Sequence, residues 1–169
     1  MKILAIPGKM PATQTWLEKI IAATPWSNEK IDVHRYNAWD FEQDFNVETE
    51  IEYLPSGHYD VVITKSIGTL ITLKSQQKIS WDRLVFIGIA WSIYSNIEKE
   101  LLPALNNHGL PVLIIQESHD PFGSYQEINH VLLNMEHITC KEVTGERHQY
   151  SNIPLIGKII NDWANPNLG

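Results

Sequence analysis

Apolar and polar positions alternate in blocks along this chain. Six short runs rich in β-branched residues stand out: KILAI (2–6), IDVHRY (31–36), DVVITK (60–65), RLVFIGI (83–89), PVLII (111–115) and ITCKEV (138–143). Three of them are apolar nearly throughout, the pattern of a strand covered on both faces, so the runs predict strands of a parallel sheet flanked by helices.

Between the runs the apolar residues recur at helical spacing. Trp16, Leu17, Ile20 and Ile21 form one such face, Leu70, Ile71 and Leu73 a second, and Ile97, Leu101, Leu102 and Leu105 a third. Tyr125, Ile128, Val131, Leu132 and Met135 follow the fifth run, and Ile156, Ile159, Ile160 and Trp163 the sixth. Local signals mark helix ends: Ser124 and Glu127 have capping-box spacing, Gly109 suits a stop, and Pro154 suits a first turn. The acidic segment 39–57 is only weakly periodic around Phe45 to Leu54, which predicts a helix over part of it and loop elsewhere. No linker or repeat interrupts the alternation. The expectation is one domain over residues 1–169, a three-layer α/β/α sandwich with a mostly parallel six-stranded sheet.

Composition narrows the function classes. Of 169 residues 43% are hydrophobic and 20% charged, enough apolar material for a substantial core. A net charge of −7 without any basic run argues against a nucleic-acid partner. The longest apolar runs fall far short of the roughly 20 residues that span a bilayer, so no membrane association is expected. A single cysteine excludes an internal disulfide, and the chain enters its first strand without a signal-like leader, which together predict a cytoplasmic protein.

In such sheets functional loops gather at the carboxyl ends of the strands. Ser66 lies there, between DVVITK and a helical run, followed by Ile67 and Gly68. A sharp turn from strand to helix lifts a serine hydroxyl above the sheet and aims the first helical N–H groups at a developing oxyanion. A serine in this position can equally serve as an ordinary helix cap. The segment Thr64-Lys65-Ser66-Ile67-Gly68 resembles the nucleophile elbow, G-x-S-x-G, of the α/β-hydrolase superfamily, with Thr64 standing where the family has glycine.

That resemblance extends over nearly the whole chain and implies a minimal, lidless α/β-hydrolase fold with strand order 2-1-3-4-5-6. The superfamily order of serine, acid and histidine implies Asp120, in QESHDPFGS, as the acid, and His148, in VTGERHQYSNIP behind Gly145, as the base. Taken alone, Asp120-Pro121 is also an ordinary turn and His148 an ordinary loop histidine. By the same resemblance Pro7-Gly8-Lys9-Met10-Pro11 is the oxyanion loop, with Pro7 in place of histidine. Its donors would be the backbone N–H groups of Ile67 and Lys9, or of Met10 in place of Lys9 if the turn differs by one residue.

Met10, Trp91 and Tyr94 are the candidate pocket residues, whereas Trp16 and Trp163 fall on helical faces and are read as core. Lys65 is expected to point away from its neighbour Ser66, and Glu117 with His119 is too sparse a set for a metal site. The sequence therefore predicts a serine hydrolase that cleaves a small ester or thioester through an acyl-enzyme on Ser66, needing no metal or other cofactor. A small-molecule acyl substrate is the expected partner, and several surface aromatics are compatible with a homodimer. Two other classes fit part of the pattern. One is a hydrolase-fold protein that binds without catalysis, suggested by Thr64 and Pro7. The other is a flavodoxin-like module in which GKMPATQT cradles a phosphate, which leaves Asp120 and His148 without a role.

Overall fold

Backbone hydrogen bonding gathers all six apolar runs into one sheet. The computed structural model describes residues 1–165, with strands β1 (Lys2–Ile6), β2 (Lys30–Val33), β3 (Gly57–Lys65), β4 (Ile79–Ile87), β5 (Val112–Glu117) and β6 (Ile138–Val143). Every neighbouring pair is parallel and the order is β2-β1-β3-β4-β5-β6, as expected. Because successive side chains point to opposite faces, the central strands feed two cores. Leu4, Ile6, Val62, Leu84, Phe86 and Ile114 face one side, while Ile3, Ala5, Val61, Ile63, Val85 and Leu113 face the other.

Helices cover both faces. The second is closed by α1 (Ala12–Ala22) and, at the far end of the chain, the helix Ile153–Ala164, through Leu17, Ile20, Ile21, Ile156 and Ile160. The acidic stretch supplies α2 (Asn37–Phe41) and α3 (Val47–Tyr53), and α4 (Ile67–Lys74) packs Leu70, Ile71 and Leu73 on the first face. After β5 comes Tyr125–Val131, whose capping box between Ser124 and Glu127 is fully formed. No helix among the described residues is long and apolar enough to cross a membrane.

Several boundaries depart from the sequence pattern. The single helix expected over Ile97 to Leu105 is instead α5 (Asn96–Lys99), α6 (Leu101–Ala104) and a 3-10 turn over Leu105–His108. Pro103 has no N–H to donate back to Lys99, which separates the turns, and Ile97 is left 84% exposed rather than in the core. The two remaining helices are α7 (Tyr125–Val131), which stops before Met135, and α8 (Ile153–Ala164). β3 and β4 extend backward as a pair, Gly57 against Ile79 and Tyr59 against Trp81. Trp81 and Ile79 alternate with exposed Ser80 and Asp82, so this end of β4 carries a two-residue period rather than an apolar run. β2, at the sheet edge, ends at Val33, and Tyr36 turns inward between Trp39 and Phe45.

Thr64 sits fully buried in β3 between Ile6 and Phe86, and its hydroxyl has no hydrogen-bond partner among the described residues. Thr64→Val keeps the branched shape and removes the unpaired group, so chemical denaturation should show a gain of about 1 kcal/mol. A lowered denaturation midpoint would contradict this account of the hydroxyl.

Candidate active site

β3 ends at Lys65 and α4 begins at Ile67, so Ser66 alone makes the turn. Its backbone is left-handed, φ 56 and ψ −121, a costly conformation for a residue with a side chain. Several bonds hold it there. Ser66 N–H donates to Ile87 O at 3.1 Å, and Thr69 donates to Ser66 O from its N–H at 3.0 Å and its hydroxyl at 2.6 Å. Gly68 lets α4 approach the end of β1, since a Cβ there would lie 2.5 Å from Ile6 O and 2.7 Å from Pro7 O. The Ser66 side chain makes no capping bond to its helix.

The hydroxyl instead meets His148. Nε2 of His148 lies 2.7 Å from Ser66 Oγ, and Nδ1 lies 2.6 Å from Asp120 Oδ2. Asp120 leaves the sheet after β5 and His148 after β6, so the topology brings together three residues that span 82 positions of sequence. Tyr150 donates its hydroxyl to the same Oδ2 at 2.7 Å, and Phe122 N–H donates to Asp120 Oδ1 at 2.8 Å. Burial pushes the Asp120 carboxyl up, but the bonds from His148, Tyr150 and Phe122 outweigh it and hold it below the usual carboxylate value. Phe122 also sets its ring edge-on against the imidazole, 4.8 Å between centroids.

Sequence reasoning missed two residues that shape this loop. His148 and Tyr150 are both left-handed, φ 60 and 54. The buried carboxylate of Glu117 accepts the N–H groups of Arg147 at 3.1 Å, His148 at 2.9 Å and Tyr150 at 2.7 Å. Lys65 does not bond to Ser66. Its Nζ turns under the elbow and donates to His148 O at 3.2 Å, beneath the Tyr150 ring at 4.4 Å. Burial pushes the Lys65 amine down to about 7, while Asp120 and Glu117 pull it the other way. The available signal was a charged residue at the end of each of two strands with an apolar central run, at Lys65 in β3 and Glu117 in β5.

Around the serine lies a cleft of about 810 Å³, lined mainly by apolar groups such as Met10, Trp16, Phe45, Ile67, Ile93 and Phe122. Met10, a candidate pocket residue, is part of this lining. Trp91 and Tyr94 are not brought to the cleft. Tyr94 is 4% exposed and bonded through its hydroxyl to Thr69, and Trp91 faces Gln126, Glu127 and His130. The 3-10 turn over Trp91–Ile93 rotates successive side chains by about 120°, so Ile93 alone of the three meets the cleft. Trp16, expected in the core, lines the cleft and donates Nε1 to Tyr150 O at 3.1 Å.

The N–H groups of Ile67, Lys9 and Met10 donate to no other group among the described residues. Pro7 O accepts from Tyr36 Oη at 2.5 Å, Gly8 O from Thr13 Oγ1 at 2.9 Å, and Lys9 O from Trp39 Nε1 at 2.7 Å. In a trans peptide the N–H points opposite to the preceding carbonyl, so these bonds orient the free donors of Lys9 and Met10 without consuming them.

Solved structures share this architecture. A protein from Xanthomonas campestris pv. campestris assigned to the α/β hydrolase superfamily is 13% identical, with 98% of each chain covered and a TM-score of 0.70. A carboxylesterase from Bacillus subtilis is 11% identical over 99% of this chain and 84% of its own, at a TM-score of 0.60. The thioesterase domain from the curacin biosynthetic pathway is 9% identical over 94% of this chain and 90% of its own, also at 0.60. At these identities the likeness is one of fold, and the fold is that of the α/β-hydrolase superfamily. No protein-family model matches the chain, and a search of curated proteins found no match.

Tyr150→Phe would leave unpaired the Glu117 N–H, which donates to the Tyr150 hydroxyl at 2.9 Å, and would remove one of the two bonds to Asp120 Oδ2. Urea denaturation at neutral pH should show a loss of about 2 kcal/mol. A group whose carboxyl is held low stabilises the fold above the ordinary carboxylate pKa and loses that contribution as pH falls through the lowered value. With the Tyr150 bond gone, the Asp120 contribution should begin to fail at a higher pH than in the wild type. Identical pH profiles of stability would contradict the assigned role of that bond.

Proposed function

We propose that the protein is a serine hydrolase that cleaves a small ester or thioester through an acyl-enzyme on Ser66. The observation that carries this reading is the unbroken hydrogen-bond chain from Ser66 Oγ through both nitrogens of His148 to Asp120, at 2.7 and 2.6 Å. His148 Nε2 takes the Ser66 proton as Oγ attacks the acyl carbon, and the ionised Asp120 stabilises the imidazolium that results. The oxyanion accepts from the N–H groups of Ile67 and Lys9. His148 then returns the proton to the leaving group, and water repeats the sequence on the acyl-enzyme.

The carboxylesterase and thioesterase among the fold neighbours support this chemistry. So does the cleft, whose apolar lining suits an uncharged acyl group. Binding without catalysis was suggested by Thr64 and Pro7. Thr64 lies in β3 outside the cleft lining, and the loop that follows Pro7 retains unpaired donors.

Incubation with a fluorophosphonate should add one adduct by intact mass, absent in Ser66→Ala and formed more slowly in His148→Ala. With p-nitrophenyl butyrate, Ser66→Ala should lower kcat on the order of 10⁴-fold. A folded wild type that takes no label and turns over no ester would overturn the reading. If the acyl group lies against the apolar lining, butyrate should exceed acetate in kcat/KM by roughly ten-fold, from two buried methylenes. Equal values would place the acyl group outside the cleft.

A further inference from the structure

We propose that Lys65 is a positioning residue for His148, holding the carbonyl of that residue so that the imidazole stays on Ser66. The inference rests on the reading of Ser66 as nucleophile.

Lys65 ends a central strand with only 3% of its surface exposed. Burying an amine is unfavourable unless it is well paired, yet among the described residues its one hydrogen bond is to His148 O at 3.2 Å. The groups that face it are His148 and the Tyr150 ring from the loop after β6, Trp16 from α1 at 5.8 Å, and the carboxylates of Glu117 and Asp120 from the end of β5 and beyond. Both carboxylates are committed elsewhere: Glu117 to three backbone N–H groups, Asp120 to His148, Tyr150 and Phe122. The fold also reserves room for the amine at Gly88, which has φ 66. A Cβ there would lie 2.9 Å from Lys65 Nζ and 2.5 Å from Tyr150 Cε2.

The two charged residues grip opposite sides of His148. Glu117 takes its N–H and Lys65 its C=O, which fixes both peptide planes flanking a left-handed residue. Left-handed backbone relaxes toward negative φ when its surroundings do not hold it, and that rotation would swing the ring away from Ser66. An ammonium and a neutral amine both donate to a carbonyl, so the brace persists when Lys65 loses its proton. A lysine kept for this purpose costs stability, and removing it separates two readouts that a merely structural residue would move together.

The test is Lys65→Met, which fills the same space without a donor. Its Tm should equal or exceed that of the wild type. With p-nitrophenyl butyrate its kcat should fall on the order of 10²-fold while KM stays within about two-fold, and fluorophosphonate labelling should slow in the same ratio as kcat. Independently of turnover, the proton between His148 Nδ1 and Asp120 should give a downfield ¹H resonance in the wild type that is broadened or lost in Lys65→Met. Unchanged kcat with a retained resonance would overturn the proposal, as would a loss of kcat matched by a fall in Tm. If the wild type takes no label the hydrolase reading fails, and the resonance alone then decides whether Lys65 positions the ring.

Discussion

A parallel strand buried on both faces has to pass its chain to the covering layer within a residue or two, because backbone polar groups cannot be left unpaired in the core. At the end of β3 that constraint falls on one residue. Ser66 closes the turn in a left-handed conformation, its N–H on Ile87 and its carbonyl on Thr69, and the missing side chain of Gly68 lets α4 lie against the end of β1. The hydroxyl then has no role in capping the helix and stands above the sheet, where it meets His148. The same parallel topology delivers the loops after β5 and β6 to the same edge, which is why Asp120 and His148 arrive beside it.

The strain that follows is held by a buried polar layer beneath the reacting groups. Glu117, Tyr150 and Lys65 tie the His148 loop, and Gln116 performs a related task one residue earlier. Its side chain pairs with both backbone groups of Ile89 at 2.9 and 3.1 Å and reaches Gly123 O at 2.6 Å, joining the loops after β4 and β5. Each of these groups is costly to bury and cheap only while every partner is present. The layer therefore acts as a unit. It fixes the geometry of a site whose outer wall, by contrast, is largely exposed apolar side chains: Met10, Ile93 and Phe122 are 64, 49 and 40% exposed.

Much of the frame was legible because it rests on short-range rules. The alternation of apolar runs and helical faces identifies the α/β sandwich, and the strand order matches the one the superfamily resemblance implies. Ser124 with Glu127 and Gly109 mark helix ends through bonds made within a few residues, and Pro154 marks one through its fixed φ, so their signals survive in the linear pattern. Where the pattern failed, another local property outranked periodicity. Pro103 divides a helix that the spacing of leucines would have joined, and the polar alternation of Ser80 and Asp82 conceals the first half of β4.

What the sequence by itself determined is the set of elements and their parallel arrangement, and, through the superfamily resemblance, the candidate residues Ser66, Asp120 and His148. These depend on local propensity and on order along the chain. Only the tertiary structure decided which side chains face the serine. Trp16 lies in the cleft and Tyr94 in the core, because the orientation of a tryptophan or tyrosine is set by how far its helix or turn is rotated against the sheet. The pairing of Lys65 and Glu117 around His148 likewise joins residues 83 and 31 positions apart. No pattern along a single segment encodes a contact made by three separate strand ends.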